Sequence, residues 1–299
     1  MQIAVTLVGA SVEGLTSPTV KLATALGGAF GPFTTQHLGP TAIDFLLAAP
    51  GLSPGLAEVR AAAEAALGDM PVDICVQLQE GRRKGLLIAD MDSTIIGCEC
   101  LDELADFAGV KAQVSAITER AMRGEIGFEG ALRERVAMLK GLPIQALEQC
   151  YAERVRLNPG AKTLVSTMTA HGARCFLVSG GFRFFTSRVA AAAGFTADRA
   201  NTLIEADGKL TGQVGDPILG REAKLTALQE EAGALGLDLT QTLAVGDGAN
   251  DLAMIHAAGL GVAYRAKPLV AAEADARVDH ADLTALLHFQ GYRADQFAA

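Results

Sequence analysis

The sequence predicts an α/β protein: a parallel-sheet core with an inserted helical cap, preceded by a small α+β domain. Three observations carry this. The runs "LLIAD", "CFLVSGG" and "TLAVGDG" are continuously apolar, end in Asp, Ser or Gly, and are each followed by a helical pattern, as strands buried on both faces of a parallel sheet require. Between the first and second of these strands, residues 99–141 ("ECLDELADFAGV…VAMLKG") show helical periodicity and no strand pattern. The first eighty residues alternate short strands with helices.

Taken in order, "IAVTLV", "IDFLLA" and "VDICVQL" read as strands, and "SPTVKLATALG" and "PGLAEVRAAAEAALG" as helices stopped by glycine. The segment "QEGRRKG" reads as a polar linker, with Arg82, Arg83 and Lys84 a solvated basic cluster. The expected domains are therefore 1–80 and 81–299, with the cap at about 97–158, too long for a simple crossover. "NTLIEADGKLTGQV" is two alternating runs joined by Asp207-Gly208, a strong hairpin signal. No internal repeat or low-complexity tract is present.

Composition excludes several classes. With 299 residues, 50% hydrophobic and 20% charged, the chain can build two cores. A net charge of −9 argues against a nucleic-acid surface, so an anionic substrate must be drawn in by local positive groups. No apolar run approaches the ~20 residues that span a bilayer, and the start "MQIAVTLVGA" lacks a basic leader; the expectation is a cytoplasmic protein. Cys75, Cys98, Cys100, Cys150 and Cys175 show no paired CxxC spacing and read as reduced thiols.

Asp90 and Asp92 lie two apart at the end of an extended run, so their carboxylates face the same side. Such a pair repels unless a cation or strong donors neutralise it, and hard Mg²⁺ suits its oxygens. An EF-hand is excluded because Ile95 stands where that loop needs Gly and Leu101 where it needs the closing Glu. "VGDGANDLAM" supplies a third acid, Asp247, with Gly248 expected to turn the backbone and Asn250 and Asp251 opening a helix. Ser179 and Gly180 end another strand ahead of a helix, an arrangement suited to anions. Lys224, early in "REAKLTALQEE", brings a fixed positive charge. In the cap, Leu132, Val136 and Leu139 form an apolar stripe on which Arg135 also falls, while Arg133 faces away. An inward arginine requires a partner, either an internal acid or a substrate carboxylate. Glu99 offers an acid a few residues beyond Asp90.

The set Asp90-Met91-Asp92-Ser93-Thr94, Ser179-Gly180-Gly181, Lys224 and Gly246-Asp247-Gly248-Ala249-Asn250-Asp251 resembles the four ordered motifs of the haloacid dehalogenase superfamily of phosphohydrolases, over roughly residues 85–290. "MDSTIIGCECLDELA", "AMRGEIGFEGALRERV" and "VGDGANDLAM" are similar to its phosphoserine phosphatase branch. The resemblance implies a Rossmannoid core with Asp90 as nucleophile and Asp92 as general acid and base. It implies Mg²⁺ on Asp90, Asp247 and the main-chain carbonyl of Asp92, supported by Asp251. It further implies phosphate held by Ser179, Gly180, Lys224 and Asn250, and Glu99, Arg135, Met122 and Phe128 around the rest of the substrate. The activity implied is Mg²⁺-dependent hydrolysis of O-phospho-L-serine through an aspartyl phosphate, with a phosphotransferase or a phosphatase of another small metabolite as the alternative. A non-enzymatic amino-acid sensor is disfavoured because every catalytic position is filled, and a P-type pump because it needs membrane helices. Element order in the first eighty residues resembles an ACT-like domain, a candidate for regulation or for pairing two copies.

Overall fold

The computed structural model describes residues 1–122 and 125–298; the side chains of Leu52 and Met122 also lie outside the described set, which leaves the expectation for Met122 there. The amino-terminal unit runs β1 (Gln2–Gly9), α1 (Val12–Phe30), β2 (Phe33–Gly39), β3 (Ala42–Ala48), α2 (Leu56–Leu67) and β4 (Val72–Leu78). Its antiparallel sheet has the order β2-β3-β1-β4, the split βαβ arrangement. Period-two alternation explains why β1 is buried almost throughout. Ile3, Val5 and Leu7 face Leu22, Leu26, Val59 and Ala63 of the two helices, whereas Val8, Ala42 and Cys75 share a cluster with Leu287 and Phe289 of the larger unit. Strand β2, "FTTQHLG", escaped the sequence reading because four of its residues are exposed and it carries little apolar pattern. Helix α1 reaches well past the expected segment at both ends, capped by the Ser11 hydroxyl, which accepts from the Gly14 N–H at 3.2 Å.

The second unit continues with β5 (Leu86–Ala89), α3 (Cys100–Phe107), α4 (Lys111–Met122), α5 (Phe128–Ala137), α6 (Ile144–Arg154), α7 (Ala161–Ala170), β6 (Arg174–Phe182), α8 (Arg183–Ala193), β7 (Ala197–Asn201), β8 (Leu203–Ala206), β9 (Lys209–Val214), α9 (Arg221–Leu235), β10 (Thr242–Gly246), α10 (Leu252–Ala257), β11 (Leu260–Tyr264), α11 (Pro268–Glu273), β12 (Ala276–Val278) and α12 (Ala285–Phe289). Among the described residues six strands form a parallel sheet ordered β12-β11-β10-β5-β6-β7. Strands β5, β10 and β11 are wholly buried, one face sharing a cluster with α7 and α8, the other with α9 and α10. The chain leaves β5 for β6 on one side and returns to β10 on the other, so the carboxyl ends of β5 and β10 flank the crevice where such sheets bind ligands.

Helices α3 to α6 form the cap between β5 and β6. Its two stems zip together where Gly97 N–H donates to Arg156 O (3.2 Å) and Asn158 N–H to Ile95 O (2.8 Å). Hairpin β8–β9 turns at Asp207 and Gly208, both with positive φ, and supports the cap from below. Gly141 N–H donates to Leu210 O (2.8 Å) and Leu210 N–H to Leu142 O (2.9 Å).

The basic cluster is not solvated as expected. Arg82 and Lys84 are each 8% exposed, and only Arg83 lies open. Arg82 pairs with the buried Asp44 at 2.7 Å, and the Lys84 ammonium donates to Thr240 O (2.7 Å) and Gly81 O (3.1 Å). The reason is the docking of the two units. Asp73 accepts the main-chain N–H groups of Asp279, His280 and Ala281 at 2.7 to 3.3 Å, and Gln77 donates to Phe289 O at 2.7 Å, which holds the two units together and buries the Arg82 and Lys84 side chains. No helix among the described residues is long and apolar enough to cross a membrane.

Candidate active site

Asp90 leaves the end of β5 with its N–H still bonded to Val245 O at 3.0 Å, and the residue is 4% exposed. The chain then coils through one irregular turn, residues 91–95, in which Ser93 takes a positive φ of 57°. A serine is uncommon in that region. Its hydroxyl donates to Glu99 Oε1 at 2.6 Å, tying the turn to the start of the cap. Asp92 Oδ1 accepts the Cys100 N–H (2.9 Å), and its Oδ2 accepts the Ser179 hydroxyl (3.2 Å) from the end of β6. A Cβ on Gly181 would stand 2.9 Å from Asp92 Oδ2 and 3.0 Å from Ser179 Oγ, so only glycine lets the two strand ends approach.

Lys224 is buried to 2% exposure by its place on the inward face of α9. It donates to Asp90 Oδ1 at 2.5 Å and to Asp251 Oδ1. Burial by itself would lower its ammonium, but the Asp251 and Asp90 carboxylates outweigh that and hold it above the ordinary lysine range. Asp251 is fully buried, its Oδ2 accepting the Gly248 N–H at 3.0 Å. The chain bends at Asp247 and Gly248 without a left-handed φ, and the Asn250 Oδ1 lies in the space a Cβ on Gly248 would take.

Carboxyl oxygens of Asp90, Asp247 and Asp251 lie within 4.8 Å of one another. Their crowding shows in their protonation. Burial, then the neighbouring Asp251 and Glu99, push Asp247 up to about 6. Burial followed by Glu99 pushes Asp92 up to about 6, and burial raises Asp90 well above its ordinary value against the pull of Lys224. A compact all-oxygen cluster that resists ionisation without a counter-charge is the donor set that a hard divalent cation fits. Asp251 is already engaged by Lys224 and Gly248, which leaves Asp90 and Asp247 as the freer carboxylates.

The crevice above them holds about 150 Å³ and is lined by Asp90, Asp92, Glu99, Phe128, Arg135, Ser179, Gly180, Asp247 and Asn250 among others. Thus nine of the residues singled out in sequence meet there, and Lys224 and Asp251 stand directly behind. Arg135 comes from α5, on the same face as buried Leu132 and Val136; Arg133, two residues earlier, points outward and pairs with Asp216 at 2.6 Å. The Arg135 Nε–H donates to Ala131 O at 3.3 Å, and no carboxylate among the described residues lies within ion-pairing distance of it. Burial lowers its guanidinium below the ordinary value, with Asp102 and Glu99 opposing. Sequence reasoning missed Lys267 and the Cys100 N–H. Lys267, whose own N–H donates to Asp247 O at 3.1 Å, lines the same crevice, with no local pattern to mark it. A larger cleft of about 530 Å³ lies between the two units around Arg60, Asp69, Asp73 and Arg277, but it brings together no set of groups for covalent chemistry.

Residues 87–256 match the model of the haloacid dehalogenase-like hydrolases. A phosphoserine phosphatase from a Polaromonas species is 48% identical over 207 residues, covering 68% of this chain and 88% of that one. The solved structure of a haloacid dehalogenase family hydrolase from Salmonella enterica serovar Typhi superposes with a TM-score of 0.85 at 29% identity, covering 96% of this chain and 98% of that one. A structure described as a phospho-aspartyl intermediate analogue of phosphoserine phosphatase has a TM-score of 0.64 at 39% identity, over 69% of this chain and 99% of that one. The parallel core, the capped crevice and these likenesses agree: the chain belongs to the haloacid dehalogenase-like hydrolases, in the phosphoserine phosphatase family of that group.

Proposed function

We propose that the protein hydrolyses O-phospho-L-serine to L-serine and phosphate with Mg²⁺, through an aspartyl phosphate on Asp90, the closing step of serine biosynthesis. One observation carries the substrate. The crevice is lined by Ser179 and Gly180, with Lys224 behind them, and also by Glu99 and a half-buried guanidinium, Arg135, that has no carboxylate partner among the described residues; this supports a phosphate at the first end and a carboxylate at Arg135. Phosphate, carboxylate and ammonium each find a complementary group. The similarity to phosphoserine phosphatases supports the same reading.

Lys224 engages Asp90 Oδ1, so the other oxygen is the one free to attack phosphorus. Asp92, near 6 in the free protein, is raised further when a phosphate dianion enters beside it, and so holds the proton that the leaving serine oxygen requires. In the second step Asp92 takes a proton from the water that attacks the phosphoryl group, freeing Asp90. Ser179 and Lys224 hold phosphoryl oxygens through both steps, and Phe128 keeps bulk water out from the cap side. Asp90, Asp247 and the Asp92 carbonyl, supported by Asp251, would hold Mg²⁺, which when bound would neutralise charge on the phosphoryl oxygens.

The test is phosphate release from a panel of phospho-amino acids and phosphosugars, with and without Mg²⁺ and with added alcohols as acceptors. Preference for phosphoserine with water as acceptor is expected. Efficient transfer to alcohols assigns a phosphotransferase instead, and indifference to the carboxylate removes Arg135 from the site. For the amino-terminal unit, the βαββαβ order supports an ACT-like part that pairs two copies or binds a regulatory amino acid. The mass of the protein in solution and calorimetric titration with serine check that role. Location in the cytoplasm follows from the same biosynthetic reading.

A further inference from the structure

Strands β6 and β7 pair from Phe176↔Ala197 to Val178↔Arg199 and resume at Phe182↔Asn201, so residues 179–181 of β6 lie opposite the single Ala200. The surplus residues make a bulge at the end of β6, and Ser179, Gly180 and Gly181 line the crevice. Asn201 stands where pairing resumes, at 2% exposure. Its Nδ2 donates to Gly180 O at 2.8 Å and to Leu219 O at 3.2 Å, and its Oδ1 accepts the Leu219 N–H at 2.7 Å. Only this orientation of the amide satisfies all three groups.

The carbonyl of Gly180 belongs to the same peptide plane as the Gly181 N–H, which donates to Ser179 Oγ at 2.8 Å, and that hydroxyl in turn donates to Asp92 Oδ2 at 3.2 Å. Anchoring one side of a planar peptide fixes the direction of the other. Leu219 precedes Gly220, the cap residue of α9, which carries Lys224. The Phe128 ring rests across both stitched segments, 3.3 Å from where a Cβ would sit on Gly180 and 3.5 Å from the same point on Gly220.

We propose that Asn201 is a positioning residue of the phosphate-holding loop: through the Gly180–Gly181 peptide it aims the Ser179 hydroxyl, and through Leu219 it keeps the approach to Lys224 in register with it. The inference rests on the phosphoryl-transfer reading of the crevice. Asn201 touches no reacting atom, and its effect is transmitted through the backbone.

The test is a double-mutant cycle of Asn201→Asp with Ser179→Ala in the full-length protein, assayed on phosphoserine and on p-nitrophenyl phosphate. Asn201→Asp keeps the volume and the acceptor for Leu219 but turns an oxygen toward two carbonyls, which drives the Gly180 peptide away. Expected is a kcat loss of about tenfold or more on both esters, with KM for phosphoserine changed less than about threefold. On the Ser179→Ala background the same change costs less than about threefold, because the hydroxyl it aims is gone. If Asn201→Asp does not accumulate as folded protein, Asn201→Ser serves in the same two backgrounds. Equal losses with and without Ser179, or an unchanged kcat with a lowered Tm, would make Asn201 merely structural and overturn the proposal. Wild-type preference between the two esters reads the substrate assignment separately, since the relay serves the phosphoryl group common to both.

Discussion

The carboxyl end of the sheet and the inner face of the cap both hold charges withdrawn from water, but they hold them differently. At the sheet end Asp90, Lys224, Asp251 and Asp92 are bonded to one another or to main-chain N–H groups; Asp90 follows β5, Asp92 sits in the turn after it, Lys224 lies on the inward face of α9 and Asp251 caps α10. In the cap, Arg135 has one long bond to its own helix and Phe128 is 38% exposed. A fixed, mutually satisfied set suits chemistry, which needs donors in place before charge develops. A guanidinium with no carboxylate partner among the described residues, on a separate lobe, suits recognition, because a substrate can bring the partner with it.

Substitutions should therefore separate along that line. The largest effect belongs to the sheet end: Asp90→Asn keeps the shape and removes the nucleophile, so turnover should fall by roughly 10⁴-fold or more, measured by phosphate release from enzyme whose near-UV spectrum is unchanged. Next is the cap. Arg135→Ala should lower kcat/KM for phosphoserine by about 2 to 4 kcal/mol, roughly 30- to 1,000-fold, while a phosphate ester lacking a carboxylate is hardly affected. Equal losses on both esters would dissolve the division between chemistry and recognition.

A third prediction concerns ionisation at the sheet end. Asp92 and Asp247 are each raised to about 6 from 3.8, so the folded protein holds their protons more tightly than the unfolded chain does. Their contribution to stability is present below about pH 4 and is lost as pH rises through about 6. A cation that binds the ionised carboxylates restores it, so Mg²⁺ should raise Tm more at about pH 7.5 than at about pH 5, by calorimetry. The smallest effect is expected outside both regions: Arg133→Ala breaks an exposed pair with Asp216, worth about 1 kcal/mol or less, and kcat should stay within about twofold.

The same contrast governs what was legible in the sequence. Paired acids at strand ends stand out because alternation and apolar runs fix their direction, and Arg135 stood out because it interrupts a helical stripe. Lys224 was visible only through its motif order, since a lone helical lysine is ordinarily solvated. Burial of Arg82 and Lys84 was illegible because it depends on how two units dock, a long-range arrangement that no local pattern encodes. Asn201 carries no signal of its own; its role lies in where β6 and β7 fall out of register.

The central claim is that Asp90 forms a covalent bond to phosphorus. Turnover of phosphoserine quenched in acid and reduced with borohydride should convert a phosphorylated aspartate to homoserine, located by mass spectrometry of the peptide spanning residues 85–98. Homoserine at position 90, with Asp92 unmodified and no conversion in Asp90→Asn, is the predicted result. Active enzyme that leaves residue 90 unmodified, or that marks Asp92 instead, would contradict the account.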